Sequence, residues 1–487
     1  MVIKKNKDEF LSYLEDTSNL KGDASLLFIP EDEKEVSDVL LQAAEEEIPL
    51  TISAAGTGTT GARVPLEGAV LSLENLNRIK ELDKKKSTIV AEAGVTLERI
   101  EEEANKQGLT LRSQPTEPLA FIGGVVSTCA SGPRSFKYGS IRDYVKRIKM
   151  AMTNGDIWEI ERGSIFAKKR KFRFKIKGRE YKFNLPTYHM PKVKSSAGYF
   201  VDDDMDLIDL FIGQEGTLSC ILEVELLLHK KPYNLFDGIV FFDAEEKALE
   251  FVERIKQLRL HSFQYPCVVE FFDFNSLEFL RPFYSFIPRA QCAVYFEQEI
   301  DSEQQADLML DYWYEFIEKS GASIDKCWFA ETEAERQKLY QFRHHLPQAV
   351  NEYLRKYSQT KEATDIAVPD DKFHLMYYFY KEVALRSRIN YVNFGHIGQN
   401  HLHFNFLPQN REESFLAKGY IMEFIEKAIA LGGTISAEHG IGKIKKPYLE
   451  IMYGRRHLEE MAELKKMLDP ACILGLDNIF DRKLLKK

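Results

Sequence analysis

SAAGTGTTGARVP, Ser53 to Pro65, follows a short strand-like run from Leu50 to Ser53 and sets Gly56, Gly58 and Gly61 among Thr57, Thr59 and Thr60. Such a loop lets the backbone approach a diphosphate closely, while its N–H groups and hydroxyls donate hydrogen bonds to the phosphate oxygens. It is not a Walker loop, because no Gly-Lys-Ser/Thr follows, and it does not open a helix as a Rossmann fingerprint does, because Pro65 comes too early. Taken alone it also reads as a flexible turn.

Outward from the loop, Val36, Val39, Leu40 and Ala43 recur at helical spacing after Pro30. Ser87 to Glu92 reads as a strand, and Thr96 to Gln107 as an amphipathic helix with a hydroxyl at its start and Gly108 after its end. A second small-residue segment, FIGGVVSTCASGPRSFKYGSIRDYV, spans Phe121 to Val145. Two glycine-rich stretches, neither fitting a common nucleotide motif, predict a long extended ligand threaded between them. Leu218 to His229 is a long β-type run, and Pro232 marks a break. Beyond it the order is strand (Leu235–Phe242), helix (Glu245–Arg259), strands (Cys267–Phe272 and Gln291–Glu297), helix (Gln304–Lys319) and strand (Lys326–Ala330). That is the ferredoxin-like β-α-β-β-α-β arrangement. Arg455 to Leu468 is an amphipathic helix ended by Asp469-Pro470.

With 487 residues, 44% of them apolar, the chain can bury several cores, and its net charge of −9 argues against a nucleic-acid partner. No run approaches the roughly 18 apolar residues of a membrane span. The six cysteines lie scattered with no C-x-x-C pair, which excludes a cysteine-ligated cluster within the chain and fits reduced thiols in the cytoplasm. One basic run, KKRKFRFKIKGREYK from Lys168 to Lys182, reads as an exposed β-hairpin with one apolar side. It is either a plainly solvated hairpin or a peripheral docking element for an anionic membrane or acidic partner.

The chemistry concentrates in GHIGQNHLHFN, Gly395 to Asn405, and SAEHGIG, Ser436 to Gly442. On a strand–turn–strand, His396 and His403 can converge across the turn, and Glu438 can add an oxygen. Three N/O ligands with open positions are the arrangement of a catalytic metal, for which zinc is best suited.

Together these segments resemble the vanillyl-alcohol-oxidase superfamily of FAD-linked enzymes, in the branch of D-lactate dehydrogenase, glycolate oxidase and D-2-hydroxyglutarate dehydrogenase. IGQEGTLSCI, Ile212 to Ile221, is similar to that branch's G-S-E-G-T-L-G-I element. The resemblance implies an α+β fold: a two-lobed FAD-binding domain of the PCMH type over residues 1–231, a ferredoxin-like substrate domain over 232–445, and a C-terminal segment, 446–487, returning to the FAD domain. It implies noncovalent FAD held by Gly56 to Gly61, Pro115, Gly123, Gly124, Ser127, Tyr138, Glu215, Gly216 and Ile221. It also places His396, His403 and Glu438 on metal-ligand positions, Asn405 on a substrate-contacting position and His439 on the catalytic one. The chain departs from the family where Ser53-Ala54-Ala55-Gly56 replaces Arg-Gly-Gly-Gly, and where Gln399-Asn400-His401 replaces Asp-Gly-Asn.

FRHHLP, Phe342 to Pro347, puts Arg343 where the family clamps a substrate carboxylate; a structural salt bridge is the other reading of Arg343. In ATDIAVP, Ala363 stands where dicarboxylate-handling relatives carry lysine, which implies a small monocarboxylate. The expected activity is oxidation of a small D-2-hydroxy acid, with electrons leaving to a quinone, an electron-transfer protein or oxygen. An oxygen-using oxidase and a noncatalytic flavin subunit of a larger complex are its rivals.

Overall fold

The computed structural model describes residues 1–260, 262–330 and 332–486; positions 261, 331 and 487, the last ending the expected C-terminal segment, lie outside the described residues. Around the glycine loop, Leu26–Ile29, Ala69–Ser72 and Leu50–Ser53 lie side by side in parallel, with Val2–Lys4 antiparallel at the outer edge. The helix Glu33–Glu45 is capped by Asp32, whose carboxylate accepts Glu35 N–H, and it buries Val36, Val39, Leu40 and Ala43 as its spacing requires. A second, wholly antiparallel sheet has the order Ile79–Asp83, Thr88–Glu92, Cys220–Leu227, Val145–Ala151, Ile157–Glu161. The segment Ile122–Ser127 packs onto it so closely that a Cβ on Gly123 would lie 2.6 Å from Ala93 Cβ.

The basic run forms the expected hairpin, Lys171–Ile176 with Arg179–Asn184. Lys177 and Gly178, at φ 48° and 81°, make the left-handed two-residue turn that matches strand twist. Phe172, Phe174 and Phe183 are buried, and Trp158 packs edge-on against Phe174 and Tyr181. Lys171, Arg173, Lys175 and Lys182 alternate with them on the exposed face.

The next sheet contains Trp328–Ala330, Asn234–Phe242, Cys292–Ile300 and Val268–Asp273 as neighbours, so the four strands lie in the order fourth, first, third, second, all antiparallel. Glu245–Lys256 and Glu303–Glu318 cover one face, where Trp313 meets both Phe251 and Phe296. Glu333–Lys356 and a helix that the sequence reading passed over, Phe274–Leu280, cover the other, burying Phe342, Leu346, Leu277 and Leu280 against Ile239, Phe241 and Phe272. The sheet then continues past Val268–Asp273 through Tyr391–Gly395, His401–Phe406 and Glu362–Ala363, and this extension carries the histidines.

After helices Lys446–Tyr453 and Arg455–Leu468 the chain returns to the first half: Leu50 N donates to Ile473 O and Gly475 N to Leu50 O. The buried Lys465 ammonium fastens the return, donating to Thr217 O, Leu474 O and Asp469 Oδ2 at 2.6–2.7 Å. Among the described residues no helix is long and apolar enough to cross a membrane.

Candidate active site

Tyr391–Gly395 and His401–Phe406 pair antiparallel, with Phe394 opposite His403, and a short turn at Ile397–Gln399 joins them. His401, His403 and Asn405 share one strand face by alternation, and His396 comes back to them across the turn. His396 Nε2 lies 3.3 Å and His403 Nε2 3.4 Å from Glu438 Oε1. One donor atom from each of His396, His401, His403 and Glu438 falls within 4.8 Å of the others. The expected three ligands therefore converge, and His401 joins them. Its ring is fully buried, Nε2 lies 3.0 Å from Asp365 Oδ1, and Nδ1 makes no hydrogen bond 4.0 Å from Glu438 Oε2. A buried, unpaired ring nitrogen beside two imidazoles and a carboxylate suits a divalent ion of the N/O-loving kind.

His439 follows Glu438 on the adjoining turn; its Nδ1 is 3.3 Å from Asp365 Oδ2, its Nε2 3.7 Å from Glu438 Oε1, and its side chain is 36% exposed. Asn405 is buried, with its amide donating to His403 O at 3.0 Å.

Three carboxylates surround the histidines, and each has its own cation. Glu270 faces Arg343, Asp365 receives Lys445 Nζ at 2.6 Å, and Glu438 Oε2 receives Lys194 Nζ at 2.5 Å. The Arg343 pairing corrects the expectation of an open guanidinium fork: Nε and Nη2 donate to Glu270 at 2.5 and 2.7 Å, and Glu270 Oε1 in turn lies 3.1 Å from His396 Nδ1. What remains for a ligand is the terminal edge, where Nη1 meets His344 Nε2 at 3.3 Å. Burial works against the charge of each carboxylate. Even so, Arg343 and His396 hold Glu270 below the usual carboxylate range, Lys194 and the histidines hold Glu438 well below it, and His439 and Lys445 do the same for Asp365. Burial pushes His401 well below the ordinary imidazole value and lowers His403, whereas Glu438 and Glu270 outweigh burial at His396 and raise it.

The glycine-rich segments meet the same turn. Arg63 closes the first loop from beneath, donating to Ala54 O at 2.7 Å, and a Cβ on Gly56, at φ +83°, would strike its guanidinium. A Cβ on Gly124 would lie 2.9 Å from Ala54 Cβ, so the two segments are in contact. Glu215 donates its N–H to Ser127 O, and its carboxylate accepts Ile441 N–H at 2.7 Å and Gly442 N–H at 2.6 Å. Burial, only partly offset by those two donors, pushes Glu215 up to about 7. Thr60 O accepts Lys443 and Ile444 N–H, and a Cβ on Gly442 would fall 2.2 Å from Thr60 O. Gly58 and Thr59 stay exposed, Thr57 is half-buried, and a Cβ on Gly58 would meet nothing closer than 3.8 Å, a cradle with backbone donors and open space. Gly216, at φ +68°, packs on Ile52 at the head of the same loop. Other expected cofactor residues lie outside this group. The Tyr138 hydroxyl meets Arg112 at 3.0 Å and Glu299, Pro115 packs on Gly132, and Ile221 is buried opposite Met150.

With that geometry in hand, comparison with known proteins is direct. Residues 24–161 match the FAD binding domain family and residues 238–476 the C-terminal domain of FAD linked oxidases. The chain belongs to the FAD-linked oxidase family. This FAD-linked oxidoreductase is 28% identical over 464 residues to glycolate oxidase subunit GlcD of Bacillus subtilis, covering 94% of this chain and 89% of the relative. It is 28% identical over 454 residues to a D-lactate dehydrogenase of Anaerostipes hadrus (91% and 86% covered), and 26% identical over 488 residues to a D-2-hydroxyglutarate dehydrogenase of Stutzerimonas stutzeri (94% and 91%). The fold matches p-cresol methylhydroxylase with substrate bound at a TM-score of 0.70 and 15% identity, over 99% of this chain and 94% of that one.

Glu270, Lys194 and Lys445 escaped the reading of this FAD-linked oxidase's sequence. Glu270 had a signal: a carboxylate inside the apolar strand Val268–Asp273, buried at every position, needs a partner. Lys194 had none, because it sits in an irregular stretch with no period to mark it as buried.

Proposed function

We propose that this chain oxidises a small 2-hydroxy acid, with D-lactate as the type substrate, to the 2-oxo acid at a metal-assisted flavin site. The observation that carries the reading is the meeting of His396, His403 and Glu438 with His439 on a turn bound to the glycine loop through Thr60 and to the second glycine-rich segment through Glu215. The relatives named for D-lactate, D-2-hydroxyglutarate and glycolate support the substrate class, and Ala363 in place of a lysine favours a monocarboxylate.

The Gly56–Gly61 loop, Gly124, Ser127 and Glu215 would hold FAD, which would supply the hydride acceptor that no protein side chain can provide. His396, His403 and Glu438 would hold a divalent ion, zinc by donor chemistry, which would supply a Lewis acid toward the 2-hydroxyl. The protein does the rest. His439, braced at Nδ1 by Asp365, offers Nε2 to the hydroxyl proton, and its partial exposure gives that proton a way out to solvent. Asn405 is fixed by its bond to His403 O on the histidine face of the strand, a place from which it can contact the acid. Arg343 takes the substrate carboxylate on its terminal edge, its side edge being committed to Glu270, and so links substrate binding to the orientation of His396. Electrons then pass to a quinone, an electron-transfer protein or oxygen, and the Lys168–Lys182 hairpin offers a cytoplasmic enzyme peripheral contact with an anionic membrane.

Anaerobic bleaching of the flavin against a panel of D- and L-2-hydroxy acids tests the reading. Rapid bleaching by D-lactate or a close relative is expected. A yellow, folded protein that no 2-hydroxy acid bleaches overturns the substrate class, and fast reoxidation by air reassigns the enzyme as an oxidase.

A further inference from the structure

The three carboxylates and three cations around the histidines balance, so a divalent ion entering this buried centre brings two surplus positive charges. One cation already holds a carboxylate that the ion would use. Lys194 Nζ sits 2.5 Å from Glu438 Oε2, with side-chain exposures of 6% and 8%, while Glu438 Oε1 faces His396, His403 and His439. The backbone beside Lys194 is pinned to the turn that carries Glu438. Ser196 N donates to Ser436 O at 2.9 Å, Gly440 N donates to Ser196 Oγ at 3.0 Å, and Ser195 Oγ meets Thr434 Oγ1 at 2.9 Å. Lys194 therefore cannot leave with its segment; only its flexible four-carbon stem can move the ammonium. The other two cations keep their own carboxylates, Arg343 through its side edge alone. Arg343 is bidentate on Glu270, and Lys445 holds both Asp365 Oδ2 and Ser436 Oγ.

We propose that Lys194 is a positioning and specificity residue that exchanges partners: it holds Glu438 until a metal takes that carboxylate, and its freed ammonium then joins the terminal edge of Arg343 in receiving the carboxylate of the 2-hydroxy acid. This rests on the metal-assisted reading above. The surplus charge brought by the metal is compensated by the substrate's carboxylate and by the hydroxyl as it gives up its proton, so metal and acid bind interdependently. A substrate without a carboxylate leaves a buried ammonium unpaired and is rejected.

The test uses the flavin holoprotein stripped of metal, with Zn²⁺ and pyruvate as probes, neither of which turns the enzyme over. In Lys194→Met, of similar length and no charge, Zn²⁺ binding by calorimetry is expected to tighten by about tenfold or more, because a like charge beside the ligand set is gone. Pyruvate binding, read from perturbation of the oxidised flavin spectrum, is expected to weaken roughly 10–100-fold, the worth of one charged hydrogen bond. Lys194→Arg keeps the charge and should restore most of the pyruvate affinity, which a merely structural role would not predict. Unchanged or weaker Zn²⁺ binding in Lys194→Met overturns the competition for Glu438. Tighter Zn²⁺ with unchanged pyruvate overturns the transfer to substrate. A wild-type protein that binds no Zn²⁺ sinks the metal reading itself, a result distinct from either.

Discussion

The hairpin Lys171–Asn184 and the histidine centre hold the two densest groups of charge singled out in this protein, and they differ in kind. On the hairpin Lys171, Lys175 and Lys182 project into water, and Arg173 meets Glu180 with both side chains about half or more exposed. At the histidines, each carboxylate is buried, each cation is largely so, and each has a partner within hydrogen-bond distance. An exposed charge costs almost nothing to hold and is worth little where it stands. A buried one is costly unless paired and hydrogen-bonded, so a buried, fully compensated set of six charges marks a place where charge is used.

That contrast orders the expected effects of mutation. The largest falls on His396→Ala, which should lose most of its metal and its turnover, since only His403, Glu438 and His401, the last beside Asp365, remain to hold an ion; elemental analysis beside single-turnover flavin reduction reads both. Full activity after exhaustive chelation would remove the metal from the mechanism. Next comes His439→Ala, expected to keep FAD and metal and to lose roughly 10²–10⁴-fold in turnover, the range for removing a general base. Loss of metal from His439→Ala with retention by His396→Ala would exchange the two roles. Arg343→Lys should raise KM roughly 10–100-fold, because an ammonium cannot serve Glu270 and a substrate carboxylate from two edges. It should also lower metal occupancy, because Glu270 no longer fixes His396. An unchanged KM would place the carboxylate elsewhere. The smallest effect belongs to the hairpin: Lys171→Glu with Lys175→Glu should leave turnover unchanged and shift stability by no more than about 0.5 kcal/mol, while abolishing salt-sensitive sedimentation with phosphatidylserine vesicles. If neither protein sediments with them, the hairpin is only a solvated face.

The same contrast explains what was legible beforehand. The glycine loops, the histidine motif and the strand–helix order are local patterns, and the structure reproduces them closely, down to Leu50–Ser53 and Arg455–Leu468. The hairpin was equally readable, because alternation and a Lys-Gly turn are local too. Legibility failed at pairings between distant segments. The partnership of Arg343 with Glu270 joins a helix to a strand 73 residues away, and that of Lys194 with Glu438 spans 244. No periodicity encodes either pair, so the salt bridge that was one of the two readings of Arg343 could not be given its partner, Glu270. The helix Phe274–Leu280 went unnoticed because its seven residues, begun by the Asp273 cap, are too few to establish a 3.6-residue period after an apolar strand.

The bonds between Thr60 and the 439–444 turn have a consequence for how the molecule is made. Thr60 Oγ1 donates to His439 O across 379 residues of chain. At ribosomal speeds of roughly 5–20 residues per second, the first loop waits about 20–80 s for its partner to be synthesised. Until then Glu215 has no Ile441 or Gly442 N–H to accept, and the turn that carries His439 does not exist. The nascent protein can complete its first sheets early, but the contacts that close the first loop onto the turn of Glu438 and His439 form late.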